Sequence, residues 1–228
     1  MQYQDIRKGI FHYRPNRFLA EVEIDGSPEI VHVKNTGRCR ELLVEGATVL
    51  LEKSRNPNRK TAYSLVAVYK ENILVNMDSQ APNEVAAEAL AEGRIGEIGQ
   101  VDFLKREVGF GDSRFDLYYE KKGKKGFLEV KGVTLEENGI ALFPDAPTER
   151  GAKHIRELVQ AKKEGYEAGI LFLIQMKGVS AFRPHAERDK TFAEELQKAE
   201  KAGVQVLAYD CQVQEDGFFL DTPIPIER

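Results

Sequence analysis

The sequence predicts a small all-β barrel of the OB type followed by an α/β domain whose mixed sheet is covered by helices. Three observations carry that expectation. Residues 9–78 break into short β-branched or aromatic runs separated by Gly and Asn turns. The pattern changes at Gln80-Ala81-Pro82-Asn83, and from there helical and strand-like runs alternate.

In the front part, FLAEVEI (18–24), EIVHVK (29–34), ATVLLEK (47–53), TAYSLVAVYK (61–70) and NILVNM (72–77) read as strands. Gly26, Asn35, Gly37, Gly46 and RNPNRK (55–60) mark turns, and RCRELL (38–43) reads as a short helix. Such closely spaced strands fit a Greek-key barrel; a six-stranded barrel or a sandwich would carry the same pattern. The second part opens with PNEVAAEALAEGRI (82–95), a helix with Asn83 as its N-cap and Gly93 as its stop. VDFLKREV (101–108), SRFDLYYE (113–120) and GFLEVKGV (126–133) follow as strands. A second helix opens at Thr148-Glu149-Arg150-Gly151 and runs to about Glu164. GILFLIQM (169–176) is continuously apolar, as in a strand covered on both faces. A third helix (192–202) and the strand VQVLAY (204–209) complete an αβββαβαβ order. The expected domains are therefore 1–80 and 81–228.

Composition sets bounds on function. The 228 residues are 42% hydrophobic and 31% charged, with a net charge of −4, which excludes a bulk polycation. Residues 1–80 hold 12 Lys/Arg against 10 Asp/Glu, and the remainder holds 21 against 27, so the front is mildly basic and the back acidic. Cys39 and Cys211 are the only cysteines and stand far apart, which suits a reducing cytoplasm and no structural zinc. The N-terminus lacks a signal-like apolar stretch and no run reaches membrane-spanning length, so a cytoplasmic chain with no membrane partner is expected.

The chemistry concentrates in SRFDLYYEKKGKKGFLEVK (113–131). Alternation places Phe127, Glu129 and Lys131 on one face of a strand, and Arg114, Asp116 and Tyr118 on one face of its neighbour. Pairing around the Lys–Gly turn would bring Asp116, Glu129 and Lys131 to the same side. Gathered carboxylates repel one another, and a hard divalent cation, Mg²⁺ or Mn²⁺, relieves the repulsion. A lysine beside such an ion positions water and stabilises charge developing on phosphorus. Exposed, the same residues would be an ordinary ion-pair cluster, as Glu120 and Lys122 are expected to be in the turn. Downstream, Asp145 sits in the Pro-framed FPDAP turn before a helix carrying Arg150, Lys153 and His154 in its first turns, a natural phosphate seat. The alternative there is Thr148 capping a surface helix. In the front part, Arg55, Arg59 and Lys60, with Arg38 and Arg40, are expected to line the barrel's binding face, and Phe11, Tyr13 and Tyr63 to stack bases.

HVKNTGRCRELL (32–43), NRKTAYSL (58–65), GDSRFDLYY (111–119), FLEVKGVTL (127–135), FPDAPTERGAKHIREL (143–158) and GVQVLAYDC (203–211) together resemble the SfsA family, the sugar fermentation stimulation proteins. The resemblance covers nearly the whole chain, and FPDAPTERGAKH is its most specific part. It implies an N-terminal OB-like barrel and a C-terminal domain of the PD-(D/E)xK restriction-endonuclease-like superfamily. Carried over, Asp116, Glu129 and Lys131 become the catalytic residues, and Asp116 and Glu129 the ligands of Mg²⁺ or Mn²⁺. Arg38, Arg55, Arg59, Lys60, Arg114, Arg150, Lys153 and His154 become candidates for binding nucleic acid or phosphate. Asp116 follows Phe115 rather than Pro, a departure from the superfamily pattern. A further acid is a choice among Glu84, Glu88 and Glu107, with Asp145 beyond them. The implied partner is DNA, single strands and RNA among the options, and the implied activity is metal-dependent phosphodiester hydrolysis. The alternative is a non-catalytic DNA-binding regulator of sugar, especially maltose, metabolism. No helix-turn-helix pattern supports the usual regulatory geometry.

Overall fold

A computed structural model describes residues 1–35 and 37–228, so Thr36 of the HVKNTGRCRELL stretch lies outside the described residues. The front strands are β1 (Ile6–Asn16), β2 (Leu19–Ile24), β3 (Ser27–Val33), β4 (Thr48–Lys53) and β5 (Tyr63–Lys70). β1 pairs with β2 and β4, β2 with β3, and β4 with β5, all antiparallel. A short parallel pairing, His32 with Ser64 and Val33 with Leu65, closes β3 onto β5 and completes a five-stranded ring. The β2–β3 hairpin turns through Asp25 and Gly26, both at positive φ (50° and 80°), the tight turn whose twist matches its strands. Gly9 is required by closeness: a Cβ there would stand 2.9 Å from the Glu23 carbonyl oxygen.

Two expectations for this region need correction. Residues 38–43 form a single turn, in which the Leu43 N–H donates to the Cys39 carbonyl at 2.9 Å, and not a helix. One turn fixes several dihedrals for one bond, so an isolated turn does not propagate unaided. The eleven residues of β1 are a strand that the sequence did not single out, because Arg, Lys and Pro interrupt its alternation.

β6 (Ile73–Asn76) pairs with β5 and leads out of the barrel. The α/β part comprises α1 (Ala81–Ala91), β7 (Phe103–Phe110), β8 (Ser113–Lys121), β9 (Lys124–Val133), β10 (Leu135–Glu137), β11 (Ile140–Phe143), α2 (Glu149–Lys163), β12 (Glu167–Ile174), β13 (Ala181–Pro184), α3 (Lys190–Lys201), β14 (Gln205–Val213) and β15 (Phe218–Pro223). Its central sheet is mixed, in the order β15-β14-β12-β9-β8-β7, with β9, β12 and β14 parallel. β10, β11 and β13 form a small separate sheet. These three strands and β15 were not expected; the first three are only 3 to 4 residues long, too short for periodicity to register.

Both faces of the central sheet are covered. Ile170, Phe172 and Ile174 of β12 join Ile155 and Leu158 of α2 in one core, while Leu171 and Leu173 join Val85 and Leu90 of α1 in the other. Burial of such side chains contributes about 1.5–3 kcal/mol each, so β12 is the spine of the molecule. Thr148 caps α2 as expected, accepting from the Gly151 N–H at 3.0 Å. No helix among the described residues is long and apolar enough to cross a membrane.

Candidate active site

Glu129 sits in the middle of β9 and is buried, 2% exposed. It shares its face with Phe127, which packs beneath α2, and alternation carries Lys131 to that face too. Lys131 Nζ donates to Glu129 Oε1 at 2.6 Å, and His154 Nδ1 of α2 is hydrogen-bonded to the same oxygen. His154 Nε2 faces Arg150 Nε at 3.5 Å, an arrangement that places the imidazole proton on Nδ1. Among the described residues Glu129 Oε2 has no hydrogen-bond partner, and it is sealed from solvent.

Asp116 arrives differently from the way strand alternation predicts. The β8–β9 ladder runs from Lys121–Lys124 to Leu117–Leu128 and stops there. Beyond it, alternation is broken: Leu117 falls on the α1 side, whereas Phe115 packs against Phe127 on the α2 side, ring centroids 5.1 Å apart. Glu107, opposite on β7, stands at φ 55°, within the same irregularity. Asp116 therefore points into the opening between the strands. Its Oδ2 accepts from the Val130 N–H at 2.8 Å, and its Oδ1 from Asn83 Nδ2 at 2.8 Å.

Their surroundings push the two carboxylates in opposite directions. Burial, and then the Glu129 charge, push the Asp116 carboxyl up to about 6, against the opposing pull of Val130, Lys131 and Asn83. Burial also pushes Glu129 upward, but the His154 hydrogen bond and the Lys131 ammonium outweigh it and hold it below the ordinary glutamate value. A buried carboxylate oxygen without a partner is costly, on the order of 1–3 kcal/mol or more. Protonation of Asp116, which removes its charge, or a cation shared with Glu129, relieves the repulsion between the two carboxylates.

Two strand carboxylates suit Mg²⁺ or Mn²⁺, which take hard oxygen donors and fill their remaining positions with water. The unpartnered Glu129 Oε2 is the donor such an ion would use. No group of three His, Cys, Asp or Glu side chains among the described residues is arranged to hold a metal, so an all-protein cage is not present there.

Two family models match the chain. The one described as "Sugar fermentation stimulation protein RE domain" covers residues 80–217, and "SfsA N-terminal OB domain" covers residues 13–77. The chain belongs to the SfsA family. A sugar fermentation stimulation protein homolog of Alkaliphilus oremlandii is 55% identical over 232 residues, covering 100% of this chain and 99% of the relative. A homolog from Desulfitobacterium hafniense is 56% identical over 216 residues, covering 95% and 93%. A solved structure titled as Pyrococcus furiosus SfsA in complex with Ca²⁺ superposes with a TM-score of 0.89 at 27% identity, covering 100% of this chain and 98% of that one.

Around this SfsA-family site, the other candidate residues divide into groups. Arg114, Arg150, Lys153 and His154 line one cleft of about 520 Å³ beside the β7–β8 turn. His154 itself is buried and committed to Glu129. Lys153 Nζ reaches the Asp112 carbonyl at 3.2 Å. Arg38 and Asp145 line a separate cleft facing the barrel. Arg55, Arg59 and Lys60 lie in the β4–β5 connection and line neither cleft. Of the acids weighed as a third carboxylate, Glu84 is exposed and Glu88 pairs with the N-terminal ammonium at 2.5 Å. Glu107 is half-exposed, 3.9 Å from Arg114. The α1 residue that does reach the site is Asn83. It is not the N-cap; Gln80 holds that position without a side-chain bond, and α1 opens at Ala81 with Pro82 in its first turn. The sequence signal for Asn83 was an amide in a helix's first turn, which serves equally well as cap or as donor to a neighbouring strand.

Proposed function

We propose that the chain is a DNA-binding, divalent-cation-dependent nuclease of the PD-(D/E)xK kind, hydrolysing phosphodiester bonds at Asp116, Glu129 and Lys131. The observation that carries the reading is the unpartnered, buried Oε2 of Glu129 beside a second strand carboxylate and a lysine. The Ca²⁺ named with the Pyrococcus furiosus relative supports a divalent cation in this family. A bound Mg²⁺ or Mn²⁺ would supply charge neutralisation at the phosphate and acidify a water.

The chain's own groups do the rest. Asp116 and Glu129 furnish the oxygen donors, with Asn83 and His154 fixing their orientation. Lys131 holds its ammonium against Glu129 Oε1, where it orients the attacking water and offsets charge on the phosphorane-like transition state. Arg114, Arg150 and Lys153 hold the flanking phosphates. The test is incubation of the purified chain with single- and double-stranded DNA and RNA in Mg²⁺, Mn²⁺ or EDTA. Cleavage in metal and none in EDTA is expected. Binding without cleavage under every metal condition would leave the non-catalytic regulator of sugar metabolism as the better reading.

A further inference from the structure

Two clefts meet at the edge of the barrel. The larger, about 720 Å³, opens between the barrel and the C-terminal ends of β9 and β12 and includes Gly132, the residue after Lys131, and Gln175. The smaller, about 500 Å³, lies on the barrel itself beside Tyr13 and Arg40. Arg17 and Arg38 line both, so the two form one groove that ends next to the Glu129 strand. Arg188 stands in the larger cleft as well. Arg17, Arg38, Arg40 and Arg188 are exposed, and among the described residues their guanidinium groups make no hydrogen bond or ion pair. Among the described residues only one acid lines each cleft, Asp145 in the larger and Glu45 in the smaller. The groove is therefore net positive in a chain that is net negative.

A fifth arginine, half-buried, belongs to the supporting structure. Arg14 of β1 donates to the carbonyl oxygens of Asn35, Gly37 and Arg38 at 3.0, 2.9 and 3.0 Å, and to that of Arg17. Its two terminal NH₂ groups go to backbone and, among the described residues, to no carboxylate, so it ties the two segments bearing Arg17 and Arg38 to one strand without neutralising them. The Asn35 side chain extends the same brace, donating to the Met77 carbonyl at 3.0 Å where the chain enters the α/β part. Free cations on braced backbone are what a phosphate-binding surface requires, because little ordering entropy is lost on contact.

We propose that this groove carries a single strand of nucleic acid from the barrel, past Arg17, Arg38 and Arg188, to the Asp116–Glu129–Lys131 site. The substrate class rests on the hydrolytic reading of that site; the binding path does not. A single strand fits better than a small anion, which would occupy one cleft and leave the shared arginines redundant. It fits better than a duplex because Tyr13, 52% exposed and anchored through its hydroxyl to Glu21 at 3.0 Å, offers a ring face that only unstacked bases use.

The test is the triple variant Arg17→Gln, Arg38→Gln, Arg188→Gln, whose melting temperature should match wild type because all three side chains are solvated. Anisotropy of a labelled thymidine oligomer of about 20 nucleotides in EDTA is measured from roughly 50 to 200 mM salt. Loss of three phosphate contacts should lower the slope of log affinity against log salt by about two. Hydrolysis of a small chromogenic phosphodiester by wild type with Mn²⁺, a substrate too short to span the groove, reports the hydrolytic reading separately. If wild type hydrolyses nothing while the variant loses oligomer binding, the groove stands and the nuclease reading falls. A wild-type salt slope in the variant, or no single-strand binding by wild type in EDTA, overturns the groove. A variant that loses duplex binding while keeping single-strand binding does so too.

Discussion

Asp116 and Glu129 show how two acids of similar intrinsic strength are driven apart by their surroundings. Asp116, desolvated beside a negative neighbour, is pushed up to about 6; Glu129, with His154 and Lys131 on one oxygen, is held below the ordinary glutamate value. The sign of the stability effect follows. A carboxyl that binds its proton more tightly when folded than when unfolded, where it titrates near 4, favours folding at low pH. That contribution is lost as pH rises from about 4 through 6 and is absent above, at most about 2–3 kcal/mol. In EDTA the melting temperature of Asp116→Asn relative to wild type should therefore climb across that window and then level off; a flat difference would mean that Asp116 titrates normally. Mg²⁺ or Mn²⁺ should raise the wild-type melting temperature at neutral pH by linkage, and Asp116→Asn should abolish the rise. Equal stabilisation of both proteins would place the cation elsewhere. Strand alternation made Glu129 and Lys131 legible as a pair. It gave the wrong account of Asp116, because the break in the ladder after Leu117 leaves no trace in the order of side chains.

At the scale of elements, the site depends on α1 and α2 pressing on opposite faces of β9. Asn83→Ala removes the α1 donor to Asp116, so the carboxylate should be less well oriented, and the Mn²⁺ needed for half-maximal thermal stabilisation should rise several-fold. An unchanged requirement would make Asn83 a bystander. Gly132→Ala tests the packing on the same side, since its Cβ would stand 2.4 Å from Gln175 Oε1 and 2.7 Å from Pro82 Cγ. Overpacking of this kind costs about 1–3 kcal/mol, a fall of a few degrees in melting temperature. An unperturbed melt would show that Gln175 moves aside freely. The long elements were legible because α2 and α3 each carry a clear period, α2 adds a Thr cap, and β12 is an unbroken apolar run. The misread turn at 38–43 and the missed β1 have local causes: a single turn does not propagate unaided, and Arg, Lys and Pro interrupt the alternation of β1. The role of His154 was hidden differently, its partner Glu129 lying 25 residues away on another element.

At the scale of the molecule, barrel and α/β part are joined by a buried polar network. Gln175 Nε2 donates to the Asn76 carbonyl at 3.1 Å, to Asn76 Oδ1 at 3.0 Å and to the Asp78 carbonyl at 3.2 Å. Asn76 Nδ2 in turn donates to the Tyr3 hydroxyl at 2.8 Å, and Lys34 pairs with Asp78 at 3.0 Å. Gln175→Ala leaves these acceptors buried without their donor, a cost of about 1–3 kcal/mol. Amides of β6 should then exchange with deuterium faster while those of β12 stay protected; acceleration of both would mean that the network stabilises the whole chain and not the junction. No sequence pattern marks such a network, because its members are single polar residues scattered from Tyr3 to Gln175. The most direct test of the central reading compares wild type with Glu129→Gln and Lys131→Ala on end-labelled single-stranded DNA in Mn²⁺, with binding followed in EDTA. Both substitutions should lower cleavage by about a hundredfold or more, since these groups act chiefly on the transition state. Binding by Glu129→Gln should hold or tighten with one phosphate-facing charge removed. Cleavage equal in wild type and Lys131→Ala would contradict the account.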